Sequence, residues 1–212
     1  MKKLFSILLV VLASFAAAQV DMGEMMRKMK TAPTSLLMNV DIRKDLKLTG
    51  EQSKKIDAIN KEYLKKMQEL SKGGRGGQDM DTAMAMGKGL DEAEDNASKQ
   101  IVDLLNPDQT KRLKEIQIQA AGAAALYEEE LQKALGFNEE QVGKINEWKA
   151  GEMDRMMGLA QAGRNAGKKM KELKEAEEAT LQKILTPEQA AKFKEMQGKP
   201  SAAAKRIREA GF

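Results

Sequence analysis

Leu48-Thr49-Gly50-Glu51-Gln52 and Leu185-Thr186-Pro187-Glu188-Gln189 are two copies of one motif, Leu-Thr-x-x-Gln, and lie far apart in the chain. Looser copies stand at Leu105-Asn106-Pro107-Asp108-Gln109 and Phe137-Asn138-Glu139-Glu140-Gln141. Each copy follows apolar residues and precedes a charged stretch of helix-favouring residues. The motif therefore predicts four helix starts.

The motif has the composition of a capping box at a helix N-terminus. A threonine or asparagine at the second position is a good N-cap, because its side-chain oxygen accepts a hydrogen bond from a backbone N–H of the first turn. The glutamine three residues later can accept a hydrogen bond from the N–H of the cap residue. Proline suits the first helical position, where its missing N–H costs nothing, and the preceding Leu or Phe can pack beneath the turn. The residues predicted to form these helix starts are Leu48, Thr49, Gln52, Asn106, Pro107, Gln109, Phe137, Asn138, Gln141, Leu185, Thr186, Pro187 and Gln189.

Two sequence offsets relate the first half of the chain to the second. At an offset of 89 residues, Leu37, Gln52 and Ile56 match Leu126, Gln141 and Ile145. At an offset of 80 residues, Ile101, Gln109 and Leu113 match Leu181, Gln189 and Phe193. The two offsets differ by nine residues, which indicates an insertion in the first half at the glycine-rich stretch 73–77. Matching apolar positions across two offsets indicate an internal duplication.

The pattern predicts an all-α protein of two repeated helical-hairpin units with long amphipathic helices. In each half, apolar residues recur at three- and four-residue steps, giving a short first helix, two long helices joined as a hairpin, and a closing helix. Glycine-rich stretches at 73–77 and 163–167 are the predicted hairpin tips, and residues 110–135 are predicted to join the halves with a break at Gly122. The predicted organisation is a signal peptide at 1–18, an N-terminal segment at 19–35, a first repeat at 36–119, a second repeat at 120–198 and a basic, partly disordered tail at 199–212.

The first residues predict export. Lys2 and Lys3 precede an apolar run from Leu4 to Phe15, and Ala16-Ala17-Ala18 supplies the small residues of a signal-peptidase site. The apolar run is short for a membrane span, so an uncleaved anchor is the weaker interpretation. We expect a periplasmic or secreted protein with no stable membrane insertion after cleavage.

The composition argues against several classes of function. The chain has no cysteine and no histidine, which removes thiol chemistry, the commonest general base and the commonest transition-metal ligand. Lys and Arg number 36 against 32 Asp and Glu, and no aromatic set accompanies the lysine pairs, so nucleic-acid binding is not expected. Acidic runs at 128–130 and 175–178 are typical of exposed helix turns. We therefore predict no catalytic residue, cofactor or resident metal, and no enzymatic activity.

The signal sequence, the paired Leu-Thr-x-x-Gln motifs and the helical pattern together resemble the Spy/CpxP family of exported, periplasmic stress proteins. The resemblance covers residues 36–198 in two copies, with degenerate motifs at Asn106 and at Phe137-Asn138. It implies a cradle-like arrangement of helical hairpins, as a monomeric pseudo-dimer with both halves fused in one chain or as a homodimer. It further implies an ATP-independent chaperone or stress-response binding protein for unfolded envelope proteins. The alternative implied function is regulation of an envelope-stress sensor kinase, so the expected partner is a protein client or a sensor protein.

A related branch of the family binds metals through histidine and acidic residues. This chain departs from that branch because it has no histidine.

Methionines are the candidate client-binding residues. Flexible, polarizable thioether side chains suit a surface that accepts many apolar partners. Two other interpretations are core packing and, with less support, Cu(I) binding by soft sulfur ligands. The methionines assigned to the candidate surface are Met80, Met84, Met86, Met153, Met156 and Met157.

Overall fold

Helical periodicity accounts for the regular structure of the chain. The structure, a computed structural model, describes residues 22–73 and 80–210, and within those ranges every regular element is a helix. The predicted all-α class is therefore confirmed. The predicted signal peptide at 1–18 and most of the glycine-rich stretch 73–77 lie outside the described residues. None of the helices in the described ranges has the length and apolar character needed to cross a membrane.

The chain divides into two compact units between Thr110 and Lys111. In the first unit, the helices are α1 (Met22–Thr31), α2 (Pro33–Leu36), α3 (Val40–Asp45), α4 (Gly50–Gly73) and α5 (Met80–Asp103), and α6 (Pro107–Ala121) begins there and continues into the second unit. The second unit adds a 3-10 helix (Gly122–Tyr127), α7 (Glu129–Leu135), α8 (Glu139–Ala150), α9 (Glu152–Ala160), a 3-10 turn (Gly163–Asn165), α10 (Ala166–Gln182), α11 (Pro187–Met196) and α12 (Ala202–Ala210). The division falls inside α6, whereas the sequence pattern extends the first repeat to residue 119.

In the first unit, α4 and α5 pack through a narrow apolar stripe. Ile56 on α4 and Ile101 on α5 are fully buried. Near the far end of the pair, the Leu70 side chain lies 3.0 Å from the position that a Cβ on Gly89 would occupy. The missing side chain at residue 89 thus lets the two helices approach closely, because Leu70 fills the space that a side chain there would take.

The core of the second unit forms around the 3-10 helix Gly122–Tyr127, which is buried along its whole length. Its neighbours in the core are Leu131, Leu135, Ile145, Leu181 and Phe193, with Trp148 and Met196 packed at its margin. The small Ala123, Ala124 and Ala125 allow this tight segment to lie inside the unit rather than on its surface. The break expected at Gly122 is present, since its φ of 65° ends the α-helical path of α6.

The first long helix expected in the second half is divided at Gly151 into α8 and α9. Gly151 has φ −81° and ψ 1°, outside the α-helical range. The Arg155 guanidinium lies over the Trp148 ring at 4.1 Å, and its Nη1 is 2.7 Å from where a Cβ on Gly151 would stand. A side chain at residue 151 would therefore displace the stacked arginine, and the glycine accommodates it at the helix break.

The C-terminal tail is folded up to residue 210, where residues 199–212 were expected to be partly disordered. Residues 202–210 form α12, whose Ala203 and Ala204 are buried. The prediction was wrong because it treated the proline, alanines and basic residues of the tail as a free end. The alanine pair is small enough to pack closely within the second unit.

Gln119 on α6 holds the turn that precedes α12. Its Nε2 donates to the carbonyl of Lys199 at 2.7 Å, and its Oε1 accepts from the N–H of Ser201 at 2.7 Å. Arg112 donates from Nη1 to the same Lys199 carbonyl at 2.7 Å. These contacts tie the later turns of α6 to the tail, which explains why α6 from residue 111 onward belongs to the second unit.

Candidate functional site

The four motif copies form capping boxes. At Thr49 the backbone N–H donates to Gln52 Oε1 at 2.9 Å, and Gln52 N–H donates back to Thr49 Oγ1 at 3.1 Å. The same reciprocal pair of hydrogen bonds occurs in the three other copies, between Asn106 and Gln109, Asn138 and Gln141, and Thr186 and Gln189. The degenerate copies therefore use asparagine in place of threonine without losing either hydrogen bond.

The motif glutamines also bond to each other in pairs, an arrangement we call a glutamine clasp. In the first unit, Gln52 Nε2 donates to Gln109 Oε1 at 2.8 Å, and Gln109 Nε2 donates to Gln52 Oε1 at 3.1 Å. Gln52 Nε2 also donates to the carbonyl of Leu104 at 2.8 Å, and Gln109 Nε2 to that of Lys47 at 3.3 Å. The clasp thus joins the N-terminus of α4 to that of α6 and to the turns that precede both helices.

The second unit contains an equivalent clasp between Gln141 and Gln189. Gln141 Nε2 donates to Gln189 Oε1 at 2.6 Å and to the carbonyl of Ile184 at 2.7 Å. Gln189 Nε2 donates back to Gln141 Oε1 at 3.2 Å and reaches the carbonyls of Leu135 and Gly136, each at 3.3 Å. The two clasps repeat the same hydrogen-bond pattern although their glutamines lie 57 residues apart in the first unit and 48 in the second.

Each clasp satisfies the hydrogen-bonding capacity of both side chains. A glutamine amide has two N–H donors and two acceptor positions on its oxygen, and in Gln52 all four are used by Gln109, Leu104 and Thr49. A glutamate could cap the helix but could donate to neither the partner oxygen nor the carbonyl. This explains why the motif ends in glutamine, and it leaves the clasp with a structural role because no donor is directed to a ligand.

Sequence reasoning assigned the glutamines to capping and missed their pairing. One sequence feature indicates it: each half carries two motif copies, and the glutamines of a pair are separated by 57 residues in the first half and 48 in the second. These separations differ by the same nine residues as the two repeat offsets. The presence of two motif copies in each half is the feature that makes such a pair possible, and the contact itself is visible only in the structure.

Among the residues whose side chains the structure describes, no methionine is buried. The buried apolar residues there are leucine, isoleucine, alanine, tyrosine and phenylalanine. Of the candidate surface residues, Met84 on α5 is 52% exposed, Met157 on α9 is 54% exposed, and Met86 is half-buried. The side chains of Met80, Met153 and Met156 lie outside the described set, although their backbones belong to α5 and α9.

Two further exposed methionines precede α4. Met29 on α1 is 36% exposed, and Met38 in the turn after α2 is 46% exposed, beside the exposed Val40. Met38 was absent from the candidate surface because it stands alone in the sequence, with no neighbouring methionine to mark it. Leu64 on α4 is also exposed. The exposed large apolar side chains of the described residues are therefore mostly methionine.

Several surface charges are paired along their own helices. Lys65 lies 3.9 Å from Glu69 on α4, and Lys171 lies 3.8 Å from Glu175 on α10, each at the (i, i+4) spacing. Such exposed pairs contribute about 0.3–0.5 kcal/mol at most to stability. They nevertheless balance the local charge, so these lysines do not form an unopposed basic surface for acidic clients.

A tyrosine hydroxyl bonds to a glutamate inside each unit. In the first unit Glu94 on α5 receives the Tyr63 hydroxyl, and Thr34 Oγ1 donates to Glu94 Oε2 at 2.7 Å. Burial, with the Glu94 charge as the next cause, raises the pKa of Tyr63 above its usual range. In the second unit Tyr127 donates to Glu177 Oε1 at 2.9 Å. Each tyrosine hydroxyl therefore keeps its proton and donates a hydrogen bond to a glutamate on a different segment, which joins the two segments within the unit.

Asn60 on α4 is a buried polar side chain whose amide has no hydrogen-bond partner among the described residues. It is only 5% exposed. Since an unpaired buried amide is destabilising by about 1–3 kcal/mol, replacing Asn60 with leucine is expected to stabilise the first unit by about 1 kcal/mol. Urea denaturation measures this change, and Asn146→Leu, at an exposed position on α8, is the control expected to change stability little. An Asn60→Leu protein less stable than the parent would show that the amide contributes favourably.

Within the described ranges, no group of three or more acidic side chains is arranged to hold a metal ion. No protein-family model matches this chain, and no curated protein or solved structure matches it.

Proposed function

We propose that this protein is an exported helical binding protein that captures unfolding proteins on an apolar surface rich in methionine, without a nucleotide cycle. The observation that carries the proposal is the distribution of methionine: the described core contains none, whereas Met29, Met38, Met84 and Met157 are exposed. A residue used only as a gap-filler would be expected inside the core. The resemblance to the Spy/CpxP family supports the same function.

The proposed mechanism is reversible adsorption rather than chemistry. Each methionine has three rotatable side-chain bonds, so the exposed methionines of either unit can pack against client segments of different shape. The clasped helix starts and the buried cores provide a fixed framework, so ordering the framework adds no cost when a client binds. The combination favours weak, broad capture of exposed apolar segments.

Removing two exposed methionines is expected to weaken capture. In the double variant Met84→Ser/Met157→Ser, the concentration needed to halve the aggregation of a chemically denatured client should rise about tenfold, since loss of about 0.7 kcal/mol of apolar contact per residue corresponds to that factor. Light scattering with two unrelated client proteins measures the effect. The matched control is Met84→Leu/Met157→Leu, which keeps the apolar surface and should retain activity.

Two outcomes would contradict the proposal. If the parent protein fails to suppress aggregation of every client at near-stoichiometric ratios, yet binds one sensor domain tightly, the function is regulatory. If the serine and leucine variants act alike, the methionines do not form the client surface. Unchanged circular dichroism and melting temperature of both variants would show that the comparison reports binding.

A further inference from the structure

We propose that the exposed methionines Met29, Met38, Met84 and Met157 are sites of oxidation by peroxide, and that this modification reduces client capture while leaving the fold intact. The effect on clients rests on the proposed function. The oxidation and the survival of the fold do not depend on it. Exposure of the thioethers and their absence from the described core together carry the inference.

The chain directs oxidative chemistry to methionine. It has fifteen methionines and no cysteine, so every sulfur atom belongs to a thioether. The sulfur lone pair attacks one peroxide oxygen, an S–O bond forms and the O–O bond breaks. The departing hydroxide takes the proton of the oxygen now bound to sulfur, directly or through water, so that the products are the sulfoxide and one water. The sulfur is oxidised by two electrons and one peroxide is reduced. Hydrogen peroxide supplies both the oxygen and the oxidising equivalents, and no metal or cofactor is needed.

Burial predicts the order in which the sites react. Met84 and Met157 expose about half of their surface and should react first, followed by Met38 and Met29. Met67, Met170 and Met196 are only partly exposed, and Met196 packs against the core of the second unit. Peroxide has to reach the sulfur atom, so these three should react more slowly.

The same distribution explains why the fold should survive. A sulfoxide turns a flexible apolar side chain into a polar one, which disrupts a hydrophobic core that contains it. In this protein the fully buried positions of the described helices are filled by residues such as Ile56, Ile101, Ile145 and Leu181. Oxidation at Met84 or Met157 therefore changes the surface without adding a polar oxygen to either core.

The consequence for binding follows from the polarity of the product. A sulfoxide oxygen keeps its hydration only if it stays in water, so burying it against an apolar client segment is unfavourable. The oxidised surface should capture clients more weakly. Since sulfoxides are reduced back to thioethers by dedicated reductases, the change is reversible in a compartment that holds such an enzyme.

The experiment treats the full chain with hydrogen peroxide and follows it by peptide mass mapping, circular dichroism and aggregation assay. We expect the rate of oxidation at Met84 and Met157 to be at least about three times the rate at Met67, Met170 and Met196. The helical signal should be retained, and capture should fall about as far as in the serine double variant. Treatment with methionine sulfoxide reductases should restore capture.

The protected control is the fourfold variant Met29→Leu, Met38→Leu, Met84→Leu, Met157→Leu. It keeps an apolar surface that peroxide does not modify under these conditions, so its capture should persist after treatment. Met196→Leu is the matched single variant and should give no protection. Equal inactivation of the fourfold variant, uniform oxidation of all methionines, or loss of the helical signal would each overturn the inference. If the untreated protein captures no client, the proposed function is wrong. The selective oxidation is tested separately, because the mass map and the helical signal do not depend on client capture.

Discussion

Replacing Gln141 with leucine is expected to lower the free energy of unfolding of the second unit by about 3 kcal/mol. The leucine cannot accept from the Asn138 N–H, so one half of the capping box is lost. It also leaves the Ile184 carbonyl and the Gln189 amide without the partners that they have in the clasp. Gln141 is buried, so water restores these hydrogen bonds poorly. A leucine side chain has about the volume of the glutamine it replaces, so the loss of unfolding free energy reports on hydrogen bonding rather than on packing.

Trp148 provides the measurement. It is the single tryptophan of the chain and packs at the margin of the second core, so its fluorescence during urea denaturation reports on the second unit. Gln161→Leu, at an exposed position after α9, is the control expected to change stability little. The double variant Gln141→Leu/Gln189→Leu should lose less than the sum of the two single variants, because no clasp amide is left unpaired in it. Strict additivity would mean that the two amides do not stabilise each other.

Replacing Gly198 with alanine is expected to destabilise the second unit by about 2–3 kcal/mol. Gly198 has φ 61°, a conformation that costs an alanine about 1–2 kcal/mol. A Cβ at this position would also overlap the Glu115 carboxylate. Moving that carboxylate strains its half-buried ion pair with Arg112, in which the two atoms lie 2.8 Å apart. The Arg112 and Gln119 contacts that hold the Lys199 carbonyl would be disturbed with it.

Gly136→Ala is the matched control. Gly136 has φ 72° in the turn after α7, and a Cβ there would contact nothing within 4 Å. This variant should lose only the conformational term, about 1–2 kcal/mol as at Gly198. The difference between the two variants in Trp148-monitored denaturation isolates the cost of displacing Glu115. Equal losses would show that Glu115 moves aside freely and that the close approach does not stabilise the tail.

Most of the secondary structure was predictable because its causes are local. The caps at Thr49 and Thr186 are formed by atoms three residues apart, and the apolar stripe through Ile56 repeats at helical spacing. Exceptions arose where a side chain from another turn or helix intervened. Gly151 divides a predicted long helix beside the Arg155–Trp148 stack, and α12 is ordered through Gln119 on a helix some eighty residues earlier in the chain.

The exposure of the candidate methionines was predictable only in part. Clusters of methionine in the sequence pointed to Met84 and Met157, which are exposed, but also to Met86, which is half-buried. Met38 is isolated in the sequence and was missed. Whether a methionine faces water depends on which side of a helix is covered by its neighbours, and composition alone carries little information on that.

By itself, the sequence determined the helical class, the helix starts and the residues that cap them, because capping and periodicity depend on atoms within a few residues of one another. The tertiary structure decided that the capping glutamines pair across 57 and 48 residues. It also decided that a tail rich in small and basic residues folds onto its unit, and that Met29, Met38, Met84 and Met157 are exposed. These features require segments that are distant in the chain to meet, and each meeting depends on the packing of the whole unit around it.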